Sequence, residues 1–412
     1  MRVVVINTGT ELLLGDVLNS HLSFIAREIF SLGLRIDRQT TVPDGEAIRT
    51  AIEESLDAEI IFVTGGLGPT TDDITREITA ELFGLKLEHD PEILRAIQER
   101  AARRGFRLTD RVARQANVPQ GATILPNEHG SAPGLYLPAI QSKTRPHLFL
   151  LPGPPRELHP MLRDFALPIL RGIIPAKTAI DRRMFRIAGM GESLVEEAVG
   201  EQLLALPGLE LGYCARPGEM DLRLVGESSV LDQAERIVRE KLGPAIFSTD
   251  GSNLETAVVK LLTERKQTLA VAESCTGGYL AHRITNVPGA SAIFLGGCVT
   301  YSNEAKMAML GVDPGLIEAE GAVSKKVVQA MAEGARANTN SDFALATTGI
   351  AGPGGGSEEK PVGTVFIALA ARDRPVSVQK RFFPDDRPTF KELTTQAALE
   401  MLRHRLLDPQ KT

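Results

Sequence analysis

Four short stretches in the last third of the chain hold residue types that can do chemistry together. They are AESCTGG (Ala272 to Gly278), VTYSNEAK (Val299 to Lys306), TTGIAGPGGG (Thr347 to Gly356) and KPVGTVFIAL (Lys360 to Leu369). Hydroxyl-bearing residues and glycines recur just after apolar runs, with one tyrosine and one lysine between them. That layout suits a phosphate- or nucleotide-binding pocket with a nucleophile beside it. Two nucleophiles are available, Ser274 and Cys275, directly after the apolar run TLAVA. The spacing predicts a helix over 277–285, and a helix N-terminus there would stabilise developing negative charge and lower a thiol's pKa. No Ser/His/Asp triad is evident, because His282 and His404 sit beside no Gly-rich motif. The base left is Lys306, a serine–lysine variant of triad logic that needs a desolvated amine. Tyr301 could relay a proton or orient the pair. The TGIAGPGGG loop would present main-chain N–H groups to an oxyanion or a phosphate.

A second, unrelated set lies near the N-terminus: TGTELLLG (Thr8 to Gly15), TGGLGPTTDDIT (Thr64 to Thr75), EHGSAPG (Glu128 to Gly134) and LPGPPRE (Leu151 to Glu157). Thr8, Gly65, Gly66, Gly68, Ser131, Gly134, Pro152 and Gly153 are the candidate nucleotide-binding positions. Glycines let main chain approach a phosphate closely. Glu11, Asp72 and Asp73 are hard oxygen donors suited to a cation bridging phosphates.

The elements that must position these residues follow from hydropathy patterning. Val3–Ile6, Glu59–Thr64 and His147–Leu151 read as buried strands, with helices over Ser20–Leu32 and Ile48–Leu56 between them. Such alternation implies a parallel sheet covered on both faces, with ligands beyond the carboxyl ends of its strands. From about 176 the character changes to strand, helix, strand, strand, helix: Phe185–Ile187, Glu192–Leu204, Glu210–Tyr213, Met220–Val225 and Ser229–Leu242. A third region opens with a helix over Leu254–Glu264. Strands follow over Thr268–Ala272, Ala292–Thr300, Phe343–Thr347 and Val362–Ala371, and a helix over Thr389–Leu406 closes it. The expected division is 1–172, 176–250 and 252–408, an α/β chain of three domains.

Bulk numbers narrow the function classes. The formal charge is 46 − 52 = −6, which argues against broad electrostatic binding of nucleic acid. Cys214, Cys275 and Cys298 are odd in number and show no CxxC spacing, which fits a reducing compartment and excludes a Cys-ligated zinc site. No apolar run approaches the ~20 residues that span a bilayer, and the start reads as a strand, not a leader. A cytoplasmic, membrane-free protein is expected.

The N-terminal motifs, in their order, resemble the molybdopterin-binding (MoaB/MogA-like) superfamily over residues 1–170. Many members carry Gly-Asp-Glu where this chain has Gly9-Thr10-Glu11, so molybdenum-cofactor chemistry does not transfer simply. The C-terminal motifs resemble the CinA C-terminal domain, the nicotinamide-nucleotide deamidase family, over about 160 residues. This implies hydrolysis of nicotinamide mononucleotide (NMN) to nicotinic acid mononucleotide and ammonia, with no cofactor. The family's serine, tyrosine and lysine fall on Ser274, Tyr301 and Lys306. Substrate contacts fall on Glu273, Thr276, Gly277, Asn303, Thr348, Gly349, Gly352 and Gly354. Together the three regions resemble full-length CinA, with a KH-type α+β middle domain. That middle region lacks a basic GXXG loop, so it reads as a spacer or dimer element, not an RNA binder. The resemblance also implies an N-terminal ADP-ribose pyrophosphatase that uses a divalent metal (Mg2+ or Co2+) and K+. The expected partners are the small nucleotides NMN and ADP-ribose and a second copy in a homodimer. Two alternatives stay open, a non-catalytic nucleotide-sensing or interaction protein linked to competence or DNA damage, and a molybdenum-cofactor-related activity of the N-terminal domain.

Overall fold

The computed structural model describes residues 1–103, 105, 109–140, 145–174, 180–372 and 374–407. The expected domain edges at 176 and 408 lie outside these. The chain separates into two compact units, residues 1–179 and 180–412.

The first unit holds β1 (Val3–Thr8), β2 (Ile36–Val42), β3 (Ile60–Thr64), β4 (Leu87–His89), β5 (Asn117–Pro119), β6 (Thr123–Leu125), β7 (Gly134–Leu137) and β8 (His147–Leu151). The main sheet runs β2-β1-β3-β8-β7-β6. The first four strands are parallel, but β6 and β7 are antiparallel. The all-parallel sheet expected from the strand–helix alternation is therefore corrected to a mixed one. The physical reason is local: a short loop joins β6 to β7, and a hairpin needs no helical crossover. Side chains alternate across β1, β3 and β8, so each strand feeds two cores. Val4, Ile6, Ile61 and Leu148 enter one, while Val3, Val5, Phe62 and Phe149 enter the other. Burial on both faces is why these strands read as continuous apolar runs.

The second unit begins with β9 (Ile180–Ala188), β10 (Glu210–Arg216), β11 (Glu219–Glu227) and β12 (Ile246–Ser248), ordered β10-β11-β9-β12. Helices Glu192–Leu204 and Ser228–Leu242 cover it through Val195, Val199, Leu231 and Val238. A five-stranded sheet follows: β13 (Leu269–Glu273), β14 (Phe294–Val299), β15 (Phe343–Gly349), β16 (Thr364–Ala371) and β17 (Arg374–Phe382), ordered β14-β13-β15-β16-β17. Strands β14, β13 and β15 are parallel; β16 and β17 form an antiparallel hairpin. The two faces of this sheet differ in size. One carries Leu269, Val271, Leu345 and Ile367; the other carries Ala270, Ala272, Ala344, Ala346 and Ala368. Methyl-sized side chains leave room for helix Lys325–Thr339 to pack closely there through Val328, Met331, Ala332 and Ala335.

Among the described residues no helix is long and apolar enough to cross a membrane.

Candidate functional sites

The C-terminal end of β13 carries the first site. The Ser274 main-chain N–H donates to the Thr347 carbonyl at 3.0 Å, which holds the β13 and β15 ends side by side. The Thr276 and Thr347 hydroxyls share a hydrogen bond of 2.8 Å. Glu273, wholly buried, turns its carboxylate onto the following helix and accepts from the N–H groups of Gly278 (3.0 Å), Leu280 (3.0 Å) and Ala281 (2.8 Å). That helix spans Tyr279–Thr285 and starts later than the predicted 277. Gly277 and Gly278 take φ of +60° and +92°, a left-handed path that favours glycine, and this delays the helix.

This corrects one expectation directly. The helix N-terminus does not face Ser274 or Cys275, because Glu273 has already occupied its amides. Cys275 is accordingly not activated: it is buried, and burial pushes its thiol up to about 12. Deprotonating it near neutral pH is therefore disfavoured.

Lys306 departs from the usual solvated lysine. Only 1% of it is exposed. Its ammonium donates to the main-chain carbonyls of Thr300 (3.0 Å), Tyr301 (3.4 Å) and Ser302 (3.4 Å). Burial lowers its pKa, and the charges of Cys275 and Glu304 pull the other way. Helix Asn303–Leu310 places it: Ser302 caps that helix by accepting from Ala305 N–H at 3.1 Å, and Lys306 then points back over the preceding turn. Asn303 stands exposed in the same first turn. Among the described residues Ser274 Oγ makes no hydrogen bond, and the link from Lys306 to this strand end is the interaction of its charge with Cys275.

Tyr301 is 60% exposed, and its hydroxyl accepts from a guanidinium nitrogen of Arg387. Another nitrogen of Arg387 donates to the Gly352 carbonyl at 2.9 Å. One side chain therefore ties the tyrosine to the glycine-rich loop. Sequence reasoning missed Arg387, which lies at the start of the closing helix in no Gly-rich motif. Thr348 donates to the Ala322 carbonyl at 2.9 Å. Gly349 belongs to packing: a Cβ there would lie 2.8 Å from the Thr364 carbonyl oxygen. Gly352 has φ +71° and abuts Val362, whereas Gly354 faces open space.

The second site is a cavity of about 340 Å³ in the first unit. Thr8, Glu11, Gly65, Gly66, Gly68, Asp72, Asp73, Ser131, Pro152 and Gly153 all line it, so four motifs distant in sequence converge. Gly134 does not. It opens β7, where a Cβ would strike the sulfur of Met161. Gly65 and Gly66 have φ of +102° and +67°, and a Cβ on Gly66 would collide with Thr75 Oγ1. Asp44 is the residue sequence reasoning missed. Its carboxylate accepts from the Thr8 hydroxyl at 2.8 Å and the Thr10 N–H at 3.1 Å, bracing the first loop of the cavity. The only sequence signal was its position just after the β2 strand.

Oxygen donors dominate this cavity, as a hard divalent cation requires. Asp73 is already engaged by the main-chain N–H (2.9 Å) and hydroxyl of Thr70. Among the described residues no three acidic, His or Cys side chains converge at metal-binding spacing. A Mg2+-type ion would fit here by taking one or two of the Glu11, Asp44 and Asp72 carboxylates and completing its shell with substrate oxygens and water.

Three regions of the chain match known families. Residues 251–406 match the CinA C-terminal domain, residues 4–172 a probable molybdopterin binding domain, and residues 182–248 the KH domain of damage-inducible protein CinA. A CinA-like protein of Akkermansia muciniphila is 44% identical over 400 residues, covering 97% of this chain and 96% of that protein. A putative competence-damage inducible protein of Caldicellulosiruptor bescii is 43% identical over 417 residues, covering 99% of this chain and all of that protein. A solved structure of a competence/damage inducible protein from Agrobacterium tumefaciens is 42% identical, covers 38% of this chain and 94% of that one, and has a TM-score of 0.37. The chain belongs to the CinA family of competence/damage-inducible proteins.

Proposed function

We propose that the C-terminal site hydrolyses the carboxamide of nicotinamide mononucleotide, with Ser274 as nucleophile and Lys306 as its proton acceptor and donor. The observation that carries this reading is a buried lysine whose charge acts on Cys275, the residue next to Ser274. Burial raises the Cys275 thiol to about 12, while it lowers the Lys306 amine. The cysteine shift disfavours a thiolate, and the lysine shift is toward the neutral form that a base requires. Ser274 Oγ attacks the amide carbon and passes its proton to neutral Lys306. The C–N bond then breaks, the same proton leaves with the amine as ammonia, and water releases the acyl group as a carboxylate. Main-chain N–H groups near the Gly352 loop are the available donors for the oxyanion and the ligand phosphate. Tyr301, held by Arg387, borders the same space. No cofactor is needed for these steps.

The first unit, in this reading, hydrolyses ADP-ribose to AMP and ribose 5-phosphate. The glycines at 65, 66 and 68 admit the diphosphate, and Glu11, Asp44 and Asp72 surround it with carboxylates. A divalent cation, Mg2+ or Co2+, when bound would neutralise charge on the phosphoryl oxygens, and the K+ requirement belongs to the same proposal. We place the protein in the cytoplasm as a homodimer whose partners are small nucleotides, not nucleic acid or membrane.

One observation favours a second reading, a nucleotide sensor without turnover. Three carbonyls hold Lys306 Nζ, and Ser274 Oγ is not bonded to it. Ammonia release from nicotinamide mononucleotide by wild type, Ser274→Ala and Cys275→Ala separates the two. The enzyme reading expects Ser274→Ala to lose at least about 10³-fold and Cys275→Ala to keep most activity. Wild type that binds the nucleotide without releasing ammonia would establish the sensor instead.

A further inference from the structure

At the edge of the C-terminal sheet away from Ser274, four arginines line one small cavity of about 190 Å³. Arg265 ends helix Leu254–Arg265, Arg372 follows β16, Arg374 opens β17, and Arg405 comes from the closing helix Arg387–Leu407. Three chain segments thus supply four guanidinium groups to the same space. Asp342 is the one carboxylate in the lining. It is already engaged, accepting from the Thr268 N–H and hydroxyl at 2.8 Å each and facing Arg372 at 3.5 Å.

Arg405 is the anomaly. It is 8% exposed, and its Nε and Nη1 are buried without a hydrogen-bond partner. Buried donors are nearly always satisfied, and an unpaired buried cation costs more than an unpaired neutral group. Arg374 makes matters worse, since its like charge acts on Arg405. An anion in this cavity would offset the charge of the four arginines that line it, Arg405 among them.

We propose that this cavity binds a phosphate-class oxyanion, free or as the terminal phosphate of a nucleotide. A tetrahedral anion offers oxygens in several directions, which suits guanidinium forks arriving from separate elements. The volume admits a phosphate group but not a whole nucleotide, so a nucleoside would remain outside the cavity. The site is distinct from the deamidase centre. Phe343 and Gln267 lie at the amino ends of β15 and β13, and Ser274 follows the carboxyl end of β13, about 20 Å away at ~3.3 Å per residue.

The test titrates inorganic phosphate into the full chain at constant ionic strength, against chloride, and follows heat of binding and the melting midpoint. Two variants isolate this site from the two candidate nucleotide sites: Arg405→Met, which keeps bulk and removes the charge, and Arg374→Gln, which alters an exposed residue. We expect phosphate to raise the wild-type midpoint by a few degrees. Arg405→Met should melt higher than wild type without phosphate and lose that increment. Arg374→Gln should weaken phosphate binding about tenfold, and it decides the matter alone if Arg405→Met does not fold. AMP run in parallel assigns the source: tighter binding than phosphate, lost in the same variants, points to a nucleotide, and equal binding points to the free ion. An increment unchanged in both variants, or absent from wild type, overturns the proposal.

Discussion

Arg387 joins the Tyr301 hydroxyl to the Gly352 carbonyl, bridging 86 residues of sequence with one planar fork. Two of the motifs that the sequence presents separately are thereby held at a fixed separation. A point charge on a flexible stem could not make the same two-point grip. Arg387→Lys is therefore expected to behave more like Arg387→Ala than like wild type. Both should lower kcat/KM for nicotinamide mononucleotide by about 10–100-fold, the range for losing a charge-assisted positioning contact. Steady-state ammonia release measures this. Wild-type kinetics in Arg387→Lys would show that charge alone suffices.

Glu273 makes a different prediction, about stability. Its buried carboxylate accepts three main-chain N–H groups that otherwise have no partner at the helix start. Glutamine keeps the shape but turns an NH2 toward those donors, so at least one buried pair becomes donor against donor. The expected loss is about 2–3 kcal/mol. Denaturant unfolding of Glu273→Gln and Glu273→Ala would measure it. Because the loop carrying Ser274 starts at this residue, activity should fall together with stability.

Much of the scaffold was legible and the contacts that complete the sites were not. Strands β1, β3, β8 and β13 were readable because burial on both faces gives an unbroken apolar run. Strand β17, RPVSVQKRF, went unread: its side chains are half-buried or exposed, so hydropathy gives little signal there. The glycine clusters at 65–68 and 277–278 were readable because left-handed backbone demands glycine. Asp44 and Arg387 were not, because a single charged residue at a strand or helix end looks like any solvated one. Only the third dimension brings Asp44 to Thr8 and Arg387 to Tyr301. The reading of Cys275 as a small buried residue, not a nucleophile, agrees with its burial, but the helix N-terminus invoked beside it acts elsewhere. Proximity in sequence suggested a helix dipole acting on it, but Glu273 takes the helix amides and burial decides the pKa.

Lys306 fixes the expected pH dependence. Burial lowers its pKa below the ordinary lysine value near 10.5, and the neutral amine is the form that can take the serine proton. Ammonia release should therefore rise with pH and level off above the depressed pKa. Stability follows the same direction. Between the folded and unfolded pKa values the unfolded chain holds this proton and the folded chain does not, so stability gains with pH across that window. Lys306→Met should abolish the rising limb and lower kcat by at least about 10²-fold while the protein remains folded. A rising limb that survives in Lys306→Met would assign the base to another group.

The cavity in the first unit predicts a separation of activities. Both carboxylates line the cavity, but Asp44 accepts from the Thr8 hydroxyl and the Thr10 N–H, whereas Asp72 is exposed and its one side-chain partner is the Thr70 hydroxyl. Asp72→Asn should therefore weaken the metal dependence of ADP-ribose cleavage, raising the metal concentration needed for half-maximal rate by about tenfold or more. Asp44→Asn should act differently. It leaves one of the two donors, Thr8 hydroxyl or Thr10 N–H, facing an NH2, so the loop loses its support and the rate falls at every metal concentration. Asp44 and Asp72 belong to the first unit and Ser274 and Lys306 to the second, so ammonia release is expected to stay within about twofold of wild type. Metal titrations of both variants, with the two activities assayed on the same preparation, distinguish these outcomes. Equal damage to both activities would mean that the two sites do not work independently.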